Sequence, residues 1–439
     1  MAGIFKAYDI RGIYGKTINE DIAFKIGRAF ATFLKCKKVV IGRDMRPHSE
    51  PLFLAICRGL TMQGADVIDL GMCSTPMSYH ANGMLGADAG IMITASHNPG
   101  EWNGMKLSRK GAVPISGTTG IQDIEKIVNN KTFDPESKTP GTVSKYDVIA
   151  AYCAHVRKLA DVKYPLKIAV DMANSMGIYE ARALSGIVEI DPMFDILDGT
   201  FPNHEANPLN VETLKALQHK IRSGKYAFGA AFDGDADRVG FIDEKGEIVA
   251  MDMITALIAQ DILTREKGVI FYDLRSSWAV KEVIDQNGGT PMMSRVGHAF
   301  IKQQMRENNA IFAGELSGHY YFRDNYFTES SSMAVICVAN IVSKSKKPLS
   351  ELIKPIKRYF ASGEINSEVK NTTTVLDILK NKFNDGIMIE LDGVSVEYKD
   401  WWFNVRASNT EPLIRLNLEA RTKDLMEQKR DELIDIIRR

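Results

Sequence analysis

Three times along this chain an alternation of apolar strands and amphipathic helices starts afresh, and that rhythm leaves few folds open. The first run contains a helix from about Glu20 to Lys35, with Ile22, Ile26, Phe30 and Phe33 on one face, and a strand Lys38-Val-Val-Ile-Gly-Arg43-Asp44. A helix from about Glu50 to Gln63, a strand Ala65–Leu70, a short helix after Thr75-Pro76 and a strand Ala89–Thr94 follow. The second run starts at Lys167-Ile-Ala-Val-Asp171, continues with a helix Val211–Ser223 and ends in a strand Tyr226–Phe232. The third starts at Gly268-Val-Ile-Phe-Tyr-Asp273, with helices near Ser277–Gln286 and Gly297–Asn308 and a strand Ala310–Ala313. Past Ser362 the pattern becomes a helix, paired strands, Leu413–Ala420 and a charged helix from Lys423. Strands separated by helices imply parallel or mixed sheets with helices on their faces. The expected fold is three similar mixed-sheet α/β domains plus a smaller C-terminal α+β domain. The polar stretches Asn129–Thr142 and Asp243–Glu247 make natural breaks, and the domains are placed at 1–144, 145–249, 250–362 and 363–439.

Charge narrows the class of partner. The 439 residues carry 55 Lys and Arg against 55 Asp and Glu, so the lasting basic excess that grips nucleic acid or an anionic membrane is absent. No apolar run reaches the 18–20 or so residues needed to span a bilayer, and the first residues lack a secretion-signal pattern, so a cytoplasmic protein is expected. Its five cysteines (Cys36, Cys57, Cys73, Cys153 and Cys337) form no CxxC and read as reduced core thiols.

Chemistry concentrates in loops at strand ends, where α/β sheets collect ligands. Thr94-Ala-Ser96-His97-Asn98-Pro99 follows one strand and leaves Ser96 on a turn. The residues alone allow a capped turn or a nucleophilic or phosphorylated serine; without glycines flanking it in the G-x-S-x-G pattern, Ser96 is not a hydrolase elbow. Asp233-Gly-Asp235-Ala-Asp237-Arg238 follows another strand. Three carboxylates at alternate positions repel one another, and a divalent cation is the usual compensation. An EF-hand reading fails because Arg238 stands where that loop needs Gly, so magnesium suits the triplet better; a solvated acidic turn is the plain alternative.

Gly314-Glu315-Leu-Ser317-Gly-His319 offers an acceptor pair, a hydroxyl and a switchable donor to vicinal sugar hydroxyls, or is a structural turn. Arg295-Val-Gly297-His298 places a second His at a helix start. Arg406-Ala-Ser408-Asn409-Thr410-Glu-Pro412, with Arg415 beyond, can cradle an anion or simply join two strands. Gly15-Lys16-Thr17 is no phosphate loop, since Ile10 occupies the place of its first Gly, and no G-x-G-x-x-G follows a strand.

These four loops, in this order from Phe5-Lys-Ala-Tyr8-Asp-Ile-Arg11-Gly12 to Arg415, resemble the α-D-phosphohexomutase family over nearly the whole chain. Within it, the likeness is to the bacterial and archaeal phosphomannomutase/phosphoglucomutase branch. The resemblance implies four domains around a central cleft and an isomerase that interconverts hexose 1- and 6-phosphates. It assigns Ser96 as the phosphoserine, and Asp233, Asp235 and Asp237 with an oxygen of that phosphoserine as Mg²⁺ ligands. Glu315, Ser317 and His319 would bind the sugar. Arg406, Ser408, Asn409, Thr410 and Arg415 would hold the phosphate not being transferred, assisted by Tyr8. Arg11, Lys106 and His298 would surround the reacting hydroxyl, Lys106 as acid/base, with Arg238 neutralising the moving group. A hexose 1,6-bisphosphate would be both intermediate and activator, sugar phosphates the only partners, and the chain a monomer or weak dimer.

Two departures from the family pattern bear on substrate. Ala236 stands where Gly is common, and Leu316 where mannose/glucose enzymes commonly have Met and phosphoglucosamine mutases Gln. Arg275 falls near where some relatives place a phosphate-binding Lys. Phosphoglucosamine mutase therefore remains the alternative. A metal-dependent sugar phosphatase is a more distant one, because aspartyl-phosphate enzymes carry their Asp-x-Asp at the end of the first strand, whereas Asp233 is mid-chain.

Overall fold

The structure, a computed structural model, describes residues 3–407 and 413–438. Ser408, Asn409 and Thr410, the centre of the expected phosphate loop, lie outside the described residues. Among those described, the chain forms four sheets.

The first sheet contains β1 (Ile10–Ile13), β2 (Lys38–Arg43), β3 (Asp66–Met72), β4 (Ala89–Ile93), β5 (Trp102–Arg109), β6 (Val113–Pro114) and β7 (Val143–Lys145), in the spatial order β1-β5-β4-β2-β3-β7 with β6 beside β5. Strands β2, β3, β4 and β7 run parallel, whereas β5 pairs antiparallel to both β4 and β1. The second orders β12 (Ile248–Val249), β11 (Val239–Asp243), β10 (Phe228–Phe232), β8 (Lys167–Asp171) and β9 (Glu189–Met193). The third orders β14 (Thr290–Ser294), β13 (Val269–Asp273), β15 (Phe312–Gly314), β16 (Tyr320–Phe322) and β17 (Thr328–Glu329). The fourth is antiparallel throughout: β18 (Phe360–Ala361), β23 (Leu413–Ala420), β22 (Trp401–Ala407), β21 (Val394–Glu397) and β20 (Ile387–Ile389), with β19 (Ile365–Glu368) also against β23.

One topological event recurs. In each of the first three sheets a parallel core strand is followed by a strand that reverses direction, and the connecting loop carries the chemistry. The loops are β4 to β5 for Ser96, β10 to β11 for the aspartates, and β15 to β16 for Glu315. The core strands are apolar on both faces, as burial between helix layers requires; β4 and β10 are buried at every position.

The structure sharpens one expectation and corrects another. Asp243–Glu247 is the turn of a hairpin in which Phe241 pairs with Val249, closed by the Asp243 N–H donating to Glu247 O at 2.9 Å, so the second sheet runs on to Val249. Val211–Ser223 is a short 3₁₀ turn, Val211–Leu214, running into a helix, Lys215–Ser223.

Helix starts carry their own caps: Ser74, Ser277, Ser330 and Thr422 each accept a bond from a backbone N–H in the following turn. Helix Ser331–Ser345 is buried over nearly its whole length, and helices Met251–Arg265 and Gly177–Leu184 pack against it in one continuous apolar core that spans the second and third units and takes in one face of the first. All five cysteines are buried thiols, and burial pushes Cys36, Cys57, Cys73 and Cys337 up to about 12. Among the described residues no helix is long and apolar enough to cross a membrane.

Candidate active site

Two of the three reversing loops touch. Ser96 is 1% exposed and takes a left-handed conformation, φ 53°, that few non-glycine residues adopt. Its N–H donates to Thr94 Oγ1 at 2.8 Å, and its Oγ donates to Asp233 Oδ2 at 2.9 Å, across 137 residues of sequence. The approach depends on Gly234: a Cβ there would stand 2.2 Å from the Ser96 carbonyl oxygen.

Asp233, Asp235 and Asp237 offer oxygens within 4.8 Å of one another, and all three are essentially unexposed. Ala236, between the last two, also takes positive φ, 58°, which is the physical reason a glycine is at home in this place. Burial, with the charges of Asp235 and Asp237, pushes Asp233 up to about 7. Burial opposes ionisation of Asp237 as well, but Lys106, His319 and Arg238 outweigh it and hold this carboxyl well below the usual range. Crowded buried carboxylates of this kind call for a cation. Here Lys106 supplies one, its Nζ 2.5 Å from Asp235 Oδ2 and 2.5 Å from Asp237 Oδ2. Burial disfavours the charged ammonium, yet the two aspartates raise its pKa overall. In this arrangement Lys106 is therefore a clamped ammonium rather than a poised base.

The third loop closes on the same point. His319 lies between Glu315 Oε2 at 3.0 Å and Asp237 Oδ1 at 3.3 Å. Burial lowers its pKa, but Asp237 and Glu315 carry it up to about 9. Arg238 Nε stands 3.2 Å from the same Nε2, so this nitrogen faces a donor on one side and a carboxylate on the other. We take the imidazolium as the resting form, since two carboxylates flank the ring against one guanidinium. Ser317 Oγ lies 2.9 Å from His319 Nδ1. Glu315 accepts from Gly297 N–H at 3.1 Å and from Tyr321 OH, which joins the Glu315 loop to the start of the His298 helix. Gly297 is needed here too, because a Cβ would fall 2.9 Å from the Tyr8 ring.

His298 is half-buried and edge-on to Tyr8, with ring centroids 6.0 Å apart, and its Nδ1 is 3.5 Å from Glu329 Oε1. Glu329 in turn binds Lys302 Nζ through both oxygens at 3.0 Å, and both residues of this pair are fully buried. Arg11 reaches the serine loop from β1, donating to Asn98 Oδ1 at 2.5 Å and to Asp9 Oδ2 at 2.8 Å. On the fourth sheet Arg406 and Arg415 both pair with Glu364, at 3.1 and 3.2 Å, and Arg275 from the third unit stands 3.5 Å from the same carboxylate. Three guanidiniums around one acid leave a net positive charge, and Arg406 Nε is buried there without a hydrogen-bond partner among the described residues.

Four chain segments thus present a serine, an acidic triplet, a Glu/Ser/His set and an arginine cluster in the order the sequence lists them. Sequence models of phosphoglucomutase/phosphomannomutase α/β/α domains I, II and III match residues 2–135, 150–246 and 250–359, and that of the C-terminal domain matches residues 364–436. The chain belongs to this family of α-D-phosphohexomutases. It is 41% identical to a phosphomannomutase of Escherichia coli K12, with 99% of this chain and 98% of the relative covered. A phosphomannomutase of Methanocaldococcus jannaschii is 39% identical over 99% of this chain and 97% of its own. Among solved structures, a phosphoglucomutase/phosphomannomutase family protein of Burkholderia thailandensis superposes with a TM-score of 0.91 at 32% identity, covering 99% of this chain and 96% of the other. The chain is a phosphohexomutase, an isomerase that moves a phosphoryl group within its sugar substrate.

The serine and aspartate loops of the mutase are also braced by residues that sequence patterns do not single out. Arg46, 2% exposed, donates to the carbonyls of Ser96, Asn98, Pro99 and Trp102 at 2.6–3.0 Å and pairs with Asp44 at 3.1 Å. One guanidinium thereby holds the whole serine loop. Thr75 donates its hydroxyl to Asp235 Oδ2 at 2.5 Å and its N–H to Asp235 O at 3.0 Å. The only trace of these roles in the sequence is their position just past the ends of β2 and β3, where an α/β sheet collects functional groups.

Proposed function

We propose that the mutase interconverts the 1- and 6-phosphates of mannose, with glucose as a second sugar, through phosphorylated Ser96 and a hexose 1,6-bisphosphate. The observation that carries the reading is Ser96 Oγ at 2.9 Å from Asp233 Oδ2, a hydroxyl delivered in a strained loop to a buried acidic triplet. The phosphomannomutase relatives support mannose, and Leu316, with no Gln at that place, speaks against a glucosamine phosphate.

Asp233, Asp235 and Asp237, with a phosphoserine oxygen, would hold Mg²⁺. The donor set fits a hard cation, being all carboxylate, and Asp235 Oδ1 is buried without a hydrogen-bond partner among the described residues. Bound there, Mg²⁺ would supply positive charge to the transferring phosphoryl group and compete with Lys106 for the same oxygens.

The chain's own side chains do the rest. Arg406, Arg415 and Arg275 fix the phosphate that stays on the sugar, spending distant binding energy on orientation. Ser408, Asn409, Thr410 and Tyr8 complete that clamp. Glu315 and Ser317 grip ring hydroxyls, with His319 between them and the triplet. The sugar hydroxyl attacks phosphorus in line, the bond from phosphorus to Ser96 Oγ breaks, and His298 takes the proton the hydroxyl releases, while Lys106 stays an ammonium that supplies positive charge beside the aspartates. After the bisphosphate turns over, the other phosphoryl group returns to Ser96 by the reverse step. A hexose 1,6-bisphosphate would also serve as activator by phosphorylating an empty Ser96. Intact-mass measurement after incubation with glucose 1,6-bisphosphate should show one added phosphate, absent in Ser96→Ala; mapping the phosphate to any other residue overturns the reading.

A further inference from the structure

We infer that Glu180, a buried carboxylate outside the cleft, is a positioning residue that holds the aspartate loop in its metal-binding shape by tying together the three segments that brace it. The inference rests on the reading of Asp233, Asp235 and Asp237 as the metal ligands.

Every residue from 233 to 236 is anchored from outside its own loop. Ser175 Oγ donates to Asp233 O at 3.0 Å and Met176 N–H to Gly234 O at 3.3 Å, just before helix Gly177–Leu184. Thr75, the first residue of helix Thr75–Met84, takes Asp235 by two bonds. Ser331, the first residue of helix Ser331–Ser345, donates to Ala236 O at 2.6 Å. Three helix starts, from three different sheet units, therefore shape one acidic loop.

Those same starts meet on Glu180, which is fully buried in helix Gly177–Leu184. Its Oε1 accepts from Ser74 Oγ at 2.5 Å, the cap directly before Thr75. Its Oε2 accepts from Ser332 Oγ at 2.5 Å and Ser332 N–H at 3.3 Å, directly after Ser331. Tyr152 OH, 3.0 Å from the same oxygen, also lies 2.8 Å from Ser330 Oγ, the cap of that helix. Among the described residues no cation pairs with Glu180, so hydroxyls and one amide carry all of its hydrogen bonding. Three of its four bonds land one residue from a group that touches the aspartate loop, and the fourth reaches Ser330, the cap of that same helix, through Tyr152. A carboxylate is suited to the place because it accepts on both oxygens, whereas all its neighbours are donors.

Outer partners of metal ligands commonly affect metal affinity by about ten- to a hundred-fold. Calorimetric titration of the full chain with Mg²⁺ should therefore show Glu180→Ala binding about ten- to a hundred-fold more weakly than wild type, with Glu180→Gln between the two. The rise in melting temperature on adding Mg²⁺ should shrink in the same order, which a purely structural role would leave unchanged while lowering both melts equally. If Glu180→Ala does not fold, Ser74→Ala and Ser332→Ala each remove one bond to Glu180 without touching the aspartate loop and should weaken Mg²⁺ binding. A folded Glu180→Ala, or both serine variants, with wild-type affinity overturns the inference. Wild-type protein that fails to bind Mg²⁺, or an Asp235→Asn variant that binds it normally, overturns instead the metal reading on which it rests.

Discussion

Replacing Arg46 should disarm the serine without touching it. The guanidinium is sealed from water beside Asp44 and donates to four backbone carbonyls of residues 96–102. In Arg46→Met the hydrophobic stem is retained, but Asp44 becomes a buried charge without its partner. Breaking a buried pair from one side costs about 3–5 kcal/mol, and the abandoned carbonyls place the effect at the upper end. At about 2–4 °C per kcal/mol for a domain of this size, a cost of about 5 kcal/mol should lower the melting of the first unit by about 10–20 °C. Arg46→Lys keeps a charge for Asp44 but has no fork to span the loop, so it should recover stability more than function. Differential scanning calorimetry reads the first quantity, and mass-spectrometric phosphorylation of Ser96 by glucose 1,6-bisphosphate the second. The expected pattern is a moderate thermal loss in Arg46→Lys with phosphorylation slowed at least ten-fold. Arg46→Met protein that melts within 1 kcal/mol of wild type and is phosphorylated at the wild-type rate would refute the reasoning.

Three further outcomes follow from particular contacts. Gly234→Ala drives a Cβ against the Ser96 carbonyl, so the two loops must part; steady-state assay should show turnover nearly abolished, while denaturation shows a loss of only about 1–3 kcal/mol. Glu419, which accepts bonds from Trp278 N–H and Trp402 Nε1, is pushed up to about 7 by burial. A raised acid stabilises the fold most below its unfolded value and loses that contribution as pH rises toward 7, so Glu419→Gln should gain on wild type by up to about 3 kcal/mol between pH 4.5 and 7 in urea titrations; a pH-independent difference would show that Glu419 ionises normally. Lys302→Met alone should cost about 3–5 kcal/mol by stranding Glu329. The double variant Lys302→Met/Glu329→Gln should regain most of that stability while its kcat stays low, because His298 loses its orienting carboxylate; a kcat that recovers with stability assigns the pair to packing alone.

What the sequence made legible was local. Ser96 and the aspartates could be found because their neighbours in sequence are also their neighbours in the loop, and β4 and β10 because a strand buried on both faces is a short apolar run. What it hid was carried by long-range pairing. Lys106 meets Asp235 across 129 residues, Thr75 meets it across 160, and Glu180 meets Ser332 across 152. No periodicity encodes such meetings. Strand β5 escaped notice because Asn103, Lys106 and Ser108 make it read as polar, although the sheet buries all three. The stretch Asp243–Glu247 did not by itself reveal its hairpin, because a tight turn and a linker share the same residues. The recurrence of one reversing loop in three sheets is a likeness of topology rather than of sequence.

Strand β5 also limits how the length of this chain can vary. It is read against β1, with Arg11 opposite Gly104, and against β4, with Met92 opposite Lys106. Side chains alternate between faces along a strand, so an insertion or deletion of one residue between Trp102 and Lys106 would turn the ammonium away from the aspartates while leaving every composition-based property of the segment intact. The polar stretch at Asn129–Thr142 lies beyond that register and can lengthen or shorten without such a penalty. Variation in length among natural versions of this enzyme should accordingly gather after residue 129 and be missing between residues 102 and 106.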